Sequence, residues 1–259
     1  MKAECLASSS SGNCFILTFD IDGMPTRIMV ECGISMSEIY EKLNERGILL
    51  SSIKACLITH AHQDHCKSAS KLNMPIFASK GTLEQIKCKG RELIPLTPNR
   101  VLNGLFVMPF EVEHDIDGSI GFVIKTKEEC VIFVNDHKRW TANLSNFKPD
   151  YVFIECNYDH TMVYAQLNEL KKYKNNNELE DAVLKETNIK IAQHERNINS
   201  HCSLHGTIRG LEKLNLTNCK AIFLMHLSDR YANEYKMKNE VQLRFGIRTY
   251  VCGRKGYIK

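Results

Sequence analysis

The chain has 259 residues, 43% of them apolar and 25% charged, with a formal net charge of +4 at pH 7. These shares are those of a soluble globular protein, and the length suits one large domain whose core needs no disulfide staples. The mild positive balance permits a phosphate-bearing substrate but falls short of the basicity of dedicated nucleic-acid-binding domains.

The eleven cysteines are odd in number, include no C-x-x-C pair, and mostly sit in apolar runs such as CFIL and CVIF. They read as buried reduced thiols, not as a secreted disulfide framework. The opening stretch MKAECLASSSSGN has no apolar secretory core. No run approaches the roughly 18 apolar residues of a membrane span. The expected setting is a reducing cytoplasm.

Along the chain, apolar runs rich in β-branched residues predict strands at 14–19, 27–31, 54–58, 75–79, 105–113, 121–126, 130–135, 151–155, 221–225 and 247–252. A helix is predicted over 35–46, where Ile39 and Leu43 stand four apart and Gly47 supplies the stop. Further helices are predicted at 65–72, 81–87, 206–214 and 236–244. Strands in both halves with helices between them predict an α/β layered domain spanning 1–259. The stretch 159–199 is polar and rich in Lys, Glu and Asn. It reads as a solvated helical pair joined at 175–177, or as a lid over the site.

The strongest chemical signal is Thr59-His60-Ala61-His62-Gln63-Asp64-His65, directly after the strand at 54–58. In extended chain His60 and His62 project to the same side. Asp64 and His65 follow as the chain turns into a helix. One loop can thus feed two metal ions, because imidazole and carboxylate are common ligands of zinc and related divalent ions. His114, Asp136 and His226 each begin the loop after a later strand, where a rigid sheet can place a ligand.

This set resembles the metallo-β-lactamase superfamily, and most closely its YycJ-like branch, over nearly the whole chain. The closer match is carried by LASSSSGN (6–13), ECGIS (31–35), THAHQDH (59–65), PFEVEHD (109–115), ECNYD (155–159), HCSL (201–204) and HLS (226–228). The segment HLSDRY (226–231) is also similar to the final histidine motif of the tRNA 3′-processing ribonuclease. The resemblance implies an αββα sandwich, two mixed β-sheets face to face with helices outside. It implies two divalent ions, zinc foremost with manganese or iron as alternatives. His60, His62 and His114 would hold one, Asp64, His65 and His226 the other, with Asp136 bridging. Two departures stand out. Glu31 occupies the place of the aspartate that supports the metal loop in the family, and His137 follows Asp136 where a small residue is usual.

The implied activity is phosphodiester hydrolysis by a metal-bridging hydroxide, with nucleic acid as substrate and an exonuclease as the type. A cyclic-nucleotide or other small phosphodiesterase is the alternative on the same fold, and a glyoxalase-like thioesterase a more distant one. A binding module that has lost catalysis is disfavoured by the intact ligand set. Asp64 and His201 are the expected catalytic residues, His201 serving the leaving oxygen. Ser11, Asn13, Asn157 and His205 are the expected substrate contacts. Glu155 is a further candidate for the rim. Partners are a nucleic acid or nucleotide, no membrane, and an open expectation of a homodimer. The basic C-terminus (Arg244, Arg248, Arg254, Lys255, Lys259) reads as a solvated face.

Overall fold

A computed structural model describes residues 1–86, 88, 92–97, 100–102, 104–176 and 180–259. The chain opens with an antiparallel meander of β1 (Lys2–Ala7), β2 (Cys14–Ile21) and β3 (Met24–Val30). Helix α1 (Met36–Glu45) then carries it to β4 (Ile53–Leu57), which runs parallel to β3. A capping box starts α1: Ser35 Oγ accepts from Glu38 N at 3.3 Å, and Glu38 Oε2 accepts from Ser35 N at 3.1 Å. Helix α2 (Gln63–Cys66), β5 (Ile76–Ala78), α3 (Lys80–Gln85) and β6 (Leu93–Pro95) complete a six-stranded sheet in the order β1-β2-β3-β4-β5-β6.

The second half contains β7 (Arg100–Leu102), β8 (Leu105–Glu113), β9 (Ile120–Lys125), β10 (Cys130–Val134), β11 (Arg139–Trp140) and β12 (Tyr151–Glu155). Helices α4 (His160–Asn176), α5 (Asp181–Ser200) and α6 (Leu204–Glu212) follow, then β13 (Ala221–Met225), α7 (Glu234–Phe245) and β14 (Thr249–Val251). The strand order is β11-β8-β9-β10-β12-β13-β14, with β7 beside β8. From β10 through β12 and β13 to β14 the pairing is parallel.

Side-chain alternation on β2 shows how the layers form. Phe15, Leu17 and Phe19 face the second sheet, while Cys14 and Ile16 face Ile39 and Leu43 of α1. Both faces are buried, so the strand reads as a continuous apolar run. Phe15 meets Phe133 of the other sheet edge-on at 5.4 Å, and Phe133, Phe153 and Phe223 stack in succession. Each fully buried phenylalanine contributes roughly 1.5–3 kcal/mol by leaving water. The outer face of the second sheet packs under Leu204, Leu211, Met237 and Val241 of α6 and α7. The layering is αββα.

The predicted strands 105–113, 151–155 and 221–225 match β8, β12 and β13. Four short or mixed strands, β1, β6, β7 and β11, carry no comparable apolar run in the sequence. The predicted helix at 81–87 is α3, and its last position, Lys87, lies outside the described residues. The polar stretch forms α4 and α5, and residue 177 of the expected joint also lies outside them. All eleven cysteines are free thiols and most are buried. No helix among the described residues is long and apolar enough to cross a membrane.

Candidate metal centre

The C-terminal ends of β4, β8, β10, β12 and β13 gather at one edge of the sandwich. His60 to His65 follow β4, His114 follows β8, Asp136 follows β10, and His226 follows β13. The two sheets are tied beside the first histidine, where Ile120 N donates to the Thr59 carbonyl at 3.0 Å. The non-glycine residues with left-handed φ among those described are Asp22, Glu31 (64°), Asp136 (38°) and His226 (55°). Three of these four belong to this edge. Each such residue costs about 1–2 kcal/mol in backbone strain, and strain of this kind concentrates at functional sites. Gly33 sets the position of the loop: a Cβ there would lie 1.6 Å from the Asp64 carbonyl oxygen.

Three overlapping donor sets result among the described residues, two of them made of the predicted ligands and the third of Asp136, Glu155, His201 and His226. His60 Nε2 is 3.1 Å from His62 Nδ1, and His114 Nε2 is 3.3 Å from the same atom. Next to them, His65 Nε2 lies 3.3 Å from both Asp64 Oδ2 and Asp136 Oδ2, and His226 Nε2 lies 3.6 Å from Asp64 Oδ2. Asp136 joins the sets, since its Oδ2 is 3.9 Å from His114 Nε2 and 4.0 Å from His60 Nε2. In each set the donor atoms lie within 4.8 Å of one another. Asp136 Oδ1 and His226 Nε2 are buried without a hydrogen-bond partner. An unpaired buried polar atom costs roughly 1–3 kcal/mol. A divalent cation would relieve that cost, so the residues fit divalent metal ions.

Partners behind the rings hold them in register. Thr59 Oγ1 meets His60 Nδ1 at 2.9 Å, and Ser200 O meets His114 Nδ1 at 2.8 Å. Glu31, fully buried, accepts from Thr59 Oγ1 at 2.6 Å and lies 3.3 Å from His65 Nδ1. The longer side chain thus still reaches the loop, with the left-handed backbone at Glu31 accommodating it. Ser8 Oγ accepts from His226 N at 2.8 Å.

Glu155 is the hub that the sequence placed only at a rim. Its Oε1 lies 2.7 Å from His201 Nδ1 and 3.3 Å from His226 Nδ1. Its Oε2 accepts from His137 N at 2.7 Å and Cys202 N at 3.2 Å. Burial pushes the Glu155 carboxyl up, but His201 and His226 outweigh this and bring it to about 2. Burial opposes protonation of His226, yet Asp136, Asp64 and Glu155 raise it to about 10. Burial likewise opposes a charge on His201, and Glu155 beside it raises the ring above its ordinary value. Burial takes His60 well below its ordinary value, with His65 adding to the effect. His137 is buried, and burial lowers it to about 4.

The structure brings His60, His62, Asp64, His65, His114, Asp136, His226 and His201 to one pocket edge. The other expected contacts stand elsewhere. Asn13 is fully buried and its amide is spent on Ser9 O, Asp64 O and His65 Nε2. Asn157 is buried behind His226, donating to its carbonyl at 2.8 Å. Both support the centre instead of facing a substrate. His205 is exposed with its ring 5.9 Å from His160, outside the pocket lining. Ser11 lines a neighbouring cavity, and Ser10 takes the place beside the centre.

The pocket over the centre has a volume of about 380 Å³. Gln193, Arg196 and Asn197 of α5 form its far wall, a contribution no motif announced. Arg196 grips Asp115 through Nε at 3.0 Å and Nη2 at 2.9 Å, which ties the helix to the residue after His114.

The crystal structure of the metallo-β-lactamase fold protein YhfI from Bacillus subtilis superposes with a TM-score of 0.68 at 12% identity, over 99% of this chain and 98% of that one. The chain has the metallo-β-lactamase fold. Among curated proteins, this metallo-β-lactamase-fold chain is 30% identical over 133 residues to Ribonuclease J of Sinorhizobium meliloti, covering 43% of this chain and 24% of that protein. It is 23% identical over 173 residues to Exodeoxyribonuclease WalJ of Streptococcus pneumoniae, covering 61% of this chain and 63% of that protein. The chain therefore spans less than two thirds of either relative. No family model matches it.

Proposed function

We propose that this chain is a metal-dependent phosphodiester hydrolase acting on nucleic acid, an exonuclease in type, with two divalent cations per chain. The observation that carries this reading is the pair of adjoining donor sets that Asp136 connects, with the His201–Glu155 pair beside them. His60, His62 and His114 would hold one cation and Asp64, His65 and His226 the other, with Asp136 between them. Zinc is the first choice for such mixed imidazole and carboxylate donors, and manganese or iron would also be accepted. Bound there, the cations supply a water of lowered pKa and neutralise charge on the phosphoryl oxygens.

The chain's own groups do the rest. Asp64, whose side chain is 24% exposed, accepts a hydrogen bond from the attacking water and orients it. His201 turns Nδ1 to Glu155, which leaves Nε2 as the nitrogen available to a leaving oxygen. The Glu155 carboxylate favours the charged imidazole, so His201 has a proton to donate. Arg196 and Asn197 offer donors to non-reacting phosphate oxygens. The similarity to a ribonuclease and an exodeoxyribonuclease supports a nucleic-acid substrate. A cyclic-nucleotide or other small phosphodiesterase is the second reading. It is favoured by the α5 wall and a pocket volume within the roughly 300–1,000 Å³ range of small-ligand sites.

The test is a substrate panel of single- and double-stranded DNA, RNA, cyclic nucleotides and bis(p-nitrophenyl) phosphate, with zinc or manganese added. Turnover of a polynucleotide from one end, abolished by Asp64→Ala in a folded protein, is expected. Turnover confined to cyclic nucleotides would transfer the conclusion to the second reading. Fully folded protein that takes up no metal and cleaves nothing would end both.

A further inference from the structure

We infer that a second anion site lies on the far side of the serine loop and takes a backbone phosphate of the strand whose scissile phosphate occupies the metal pocket. This rests on the nuclease reading and narrows it to a polymeric substrate. The turn after β1 lines two cavities at once. Ser10 borders the metal pocket, while Ser9, Ser11 and Gly12 border a cavity of about 260 Å³. The turn itself is fastened to the centre, with Ser8 Oγ on the His226 amide and Asn13 N donating to Asp64 O at 2.8 Å. Gly12 allows the close approach: a Cβ there would lie 2.4 Å from Ile34 Cγ2.

Three cations face this cavity, Lys42 from α1 and Arg254 and Lys255 from the C-terminal turn. Lys42 Nζ donates to the Lys255 carbonyl at 3.2 Å, so segments far apart in sequence are held together at the same spot. Arg254 meets Asp229 at 3.2 Å, but both side chains are more than half exposed. Such a pair is weak and solvent-screened, and leaves Arg254 able to turn to a ligand. Glu38 is the carboxylate on the lining, and its Oε2 is occupied by Ser35 N and Ser35 Oγ at 3.1 and 2.8 Å. The balance is positive.

The hydroxyls complete the site. Ser9 Oγ accepts from Ser11 N at 3.3 Å and lies 2.9 Å from Ser11 Oγ. Either hydroxyl can donate in this pair, and the exposed Ser11 hydroxyl can turn to an outside acceptor. A phosphate oxygen is the acceptor that three cations and an exposed hydroxyl fit. A ligand filling both cavities must straddle the loop and carry at least two phosphates in series, which a cyclic mononucleotide lacks and a strand has. The basic C-terminus is therefore not uniformly a solvated face: Arg244 is paired with Glu212, while Arg254 and Lys255 serve this cavity.

The experiment compares the full-length, metal-loaded protein with a Lys42→Gln/Arg254→Gln/Lys255→Gln variant. Binding of a short fluorescent single-stranded oligonucleotide is followed by anisotropy over a range of salt. Affinity should fall roughly tenfold or more, and the slope of log K against log salt should shrink by about 0.7, as expected when one phosphate of a single strand is no longer neutralised. Turnover of bis(p-nitrophenyl) phosphate, which carries one phosphate, should be unchanged. Ser11→Ala should weaken oligonucleotide binding alone, by a few-fold. Unchanged affinity and slope would overturn the proposal, and so would equal losses on the oligonucleotide and the small ester. Displacement by inorganic phosphate as readily as by unlabelled strand would indicate a free-anion site and overturn it too. If the wild type cleaves nothing while the variant loses oligonucleotide affinity, the hydrolase reading fails and this site stands.

Discussion

The metal floor and the α4–α5 arm meet at Asp115 and Arg196, yet they are made in different ways. On the floor, donors come from strand ends and from the short helix α2 beside them. Glu31, Asp136 and His226 are buried in left-handed conformations that only dense surroundings can hold. On the arm, Gln193 and Arg196 are exposed, and one tie to the floor is an ion pair whose arginine is 69% exposed, another being the Ser200 carbonyl on His114 Nδ1.

Four substitutions and measurements would break or sharpen that contrast. The largest effect is expected at Gly33→Ala, because the new Cβ collides with backbone atoms of Asp64 and His65. A loss of at least about 3 kcal/mol in denaturant unfolding, together with lost metal uptake, is expected. A near-normal variant would mean that the loop is not held by this contact. Next, His201→Ala should lower turnover of phosphodiesters by about 10²–10⁴-fold while metal content by elemental analysis stays at the wild-type level. Full activity would remove His201 from the reaction.

A smaller effect is expected at the root of the arm. Burial pushes the Asp159 carboxyl up, but Lys236 at 2.5 Å and Thr161 more than offset this, leaving it below the usual range. A depressed carboxyl pKa stabilises the fold fully above the unfolded value of about 3.9 and loses that contribution as pH falls through the lower folded value. Acid unfolding of the wild type should therefore show a steeper loss of stability below about pH 4 than that of Asp159→Asn. Superimposable acid limbs would sink the assignment. Smallest of all, Arg196→Ala should change stability by no more than about 1 kcal/mol, as for other exposed ion pairs. Metal content should hold and KM should rise. A loss of metal would show that the arm helps to build the floor.

Much of the centre was legible in the residues themselves. The histidine loop and the three later strand ends announce themselves because ligand chemistry restricts residue types and strands restrict spacing. The longest apolar strands were legible for the same periodic reason. What was not legible depends on approach in space. Glu155 ends an apolar strand like several other residues, and only the fold reveals that His201, His226, His137 and Cys202 converge on it. Asn13 and Asn157 look like substrate contacts by type, but their amides are consumed by the loop and by His226. The far wall of α5 is written in polar residues that any solvated helix could carry. The two-residue strand β11 is too short for any period to register.

The bond from the Ile120 amide to the Thr59 carbonyl gives the floor a reporter on the opposite sheet. Exchange of that single proton with deuterated solvent requires the edge of the sandwich to part, and the support of His60 parts with it. Its protection factor, read residue by residue in NMR, should therefore track occupancy of the neighbouring imidazoles more faithfully than the melting of the whole protein does.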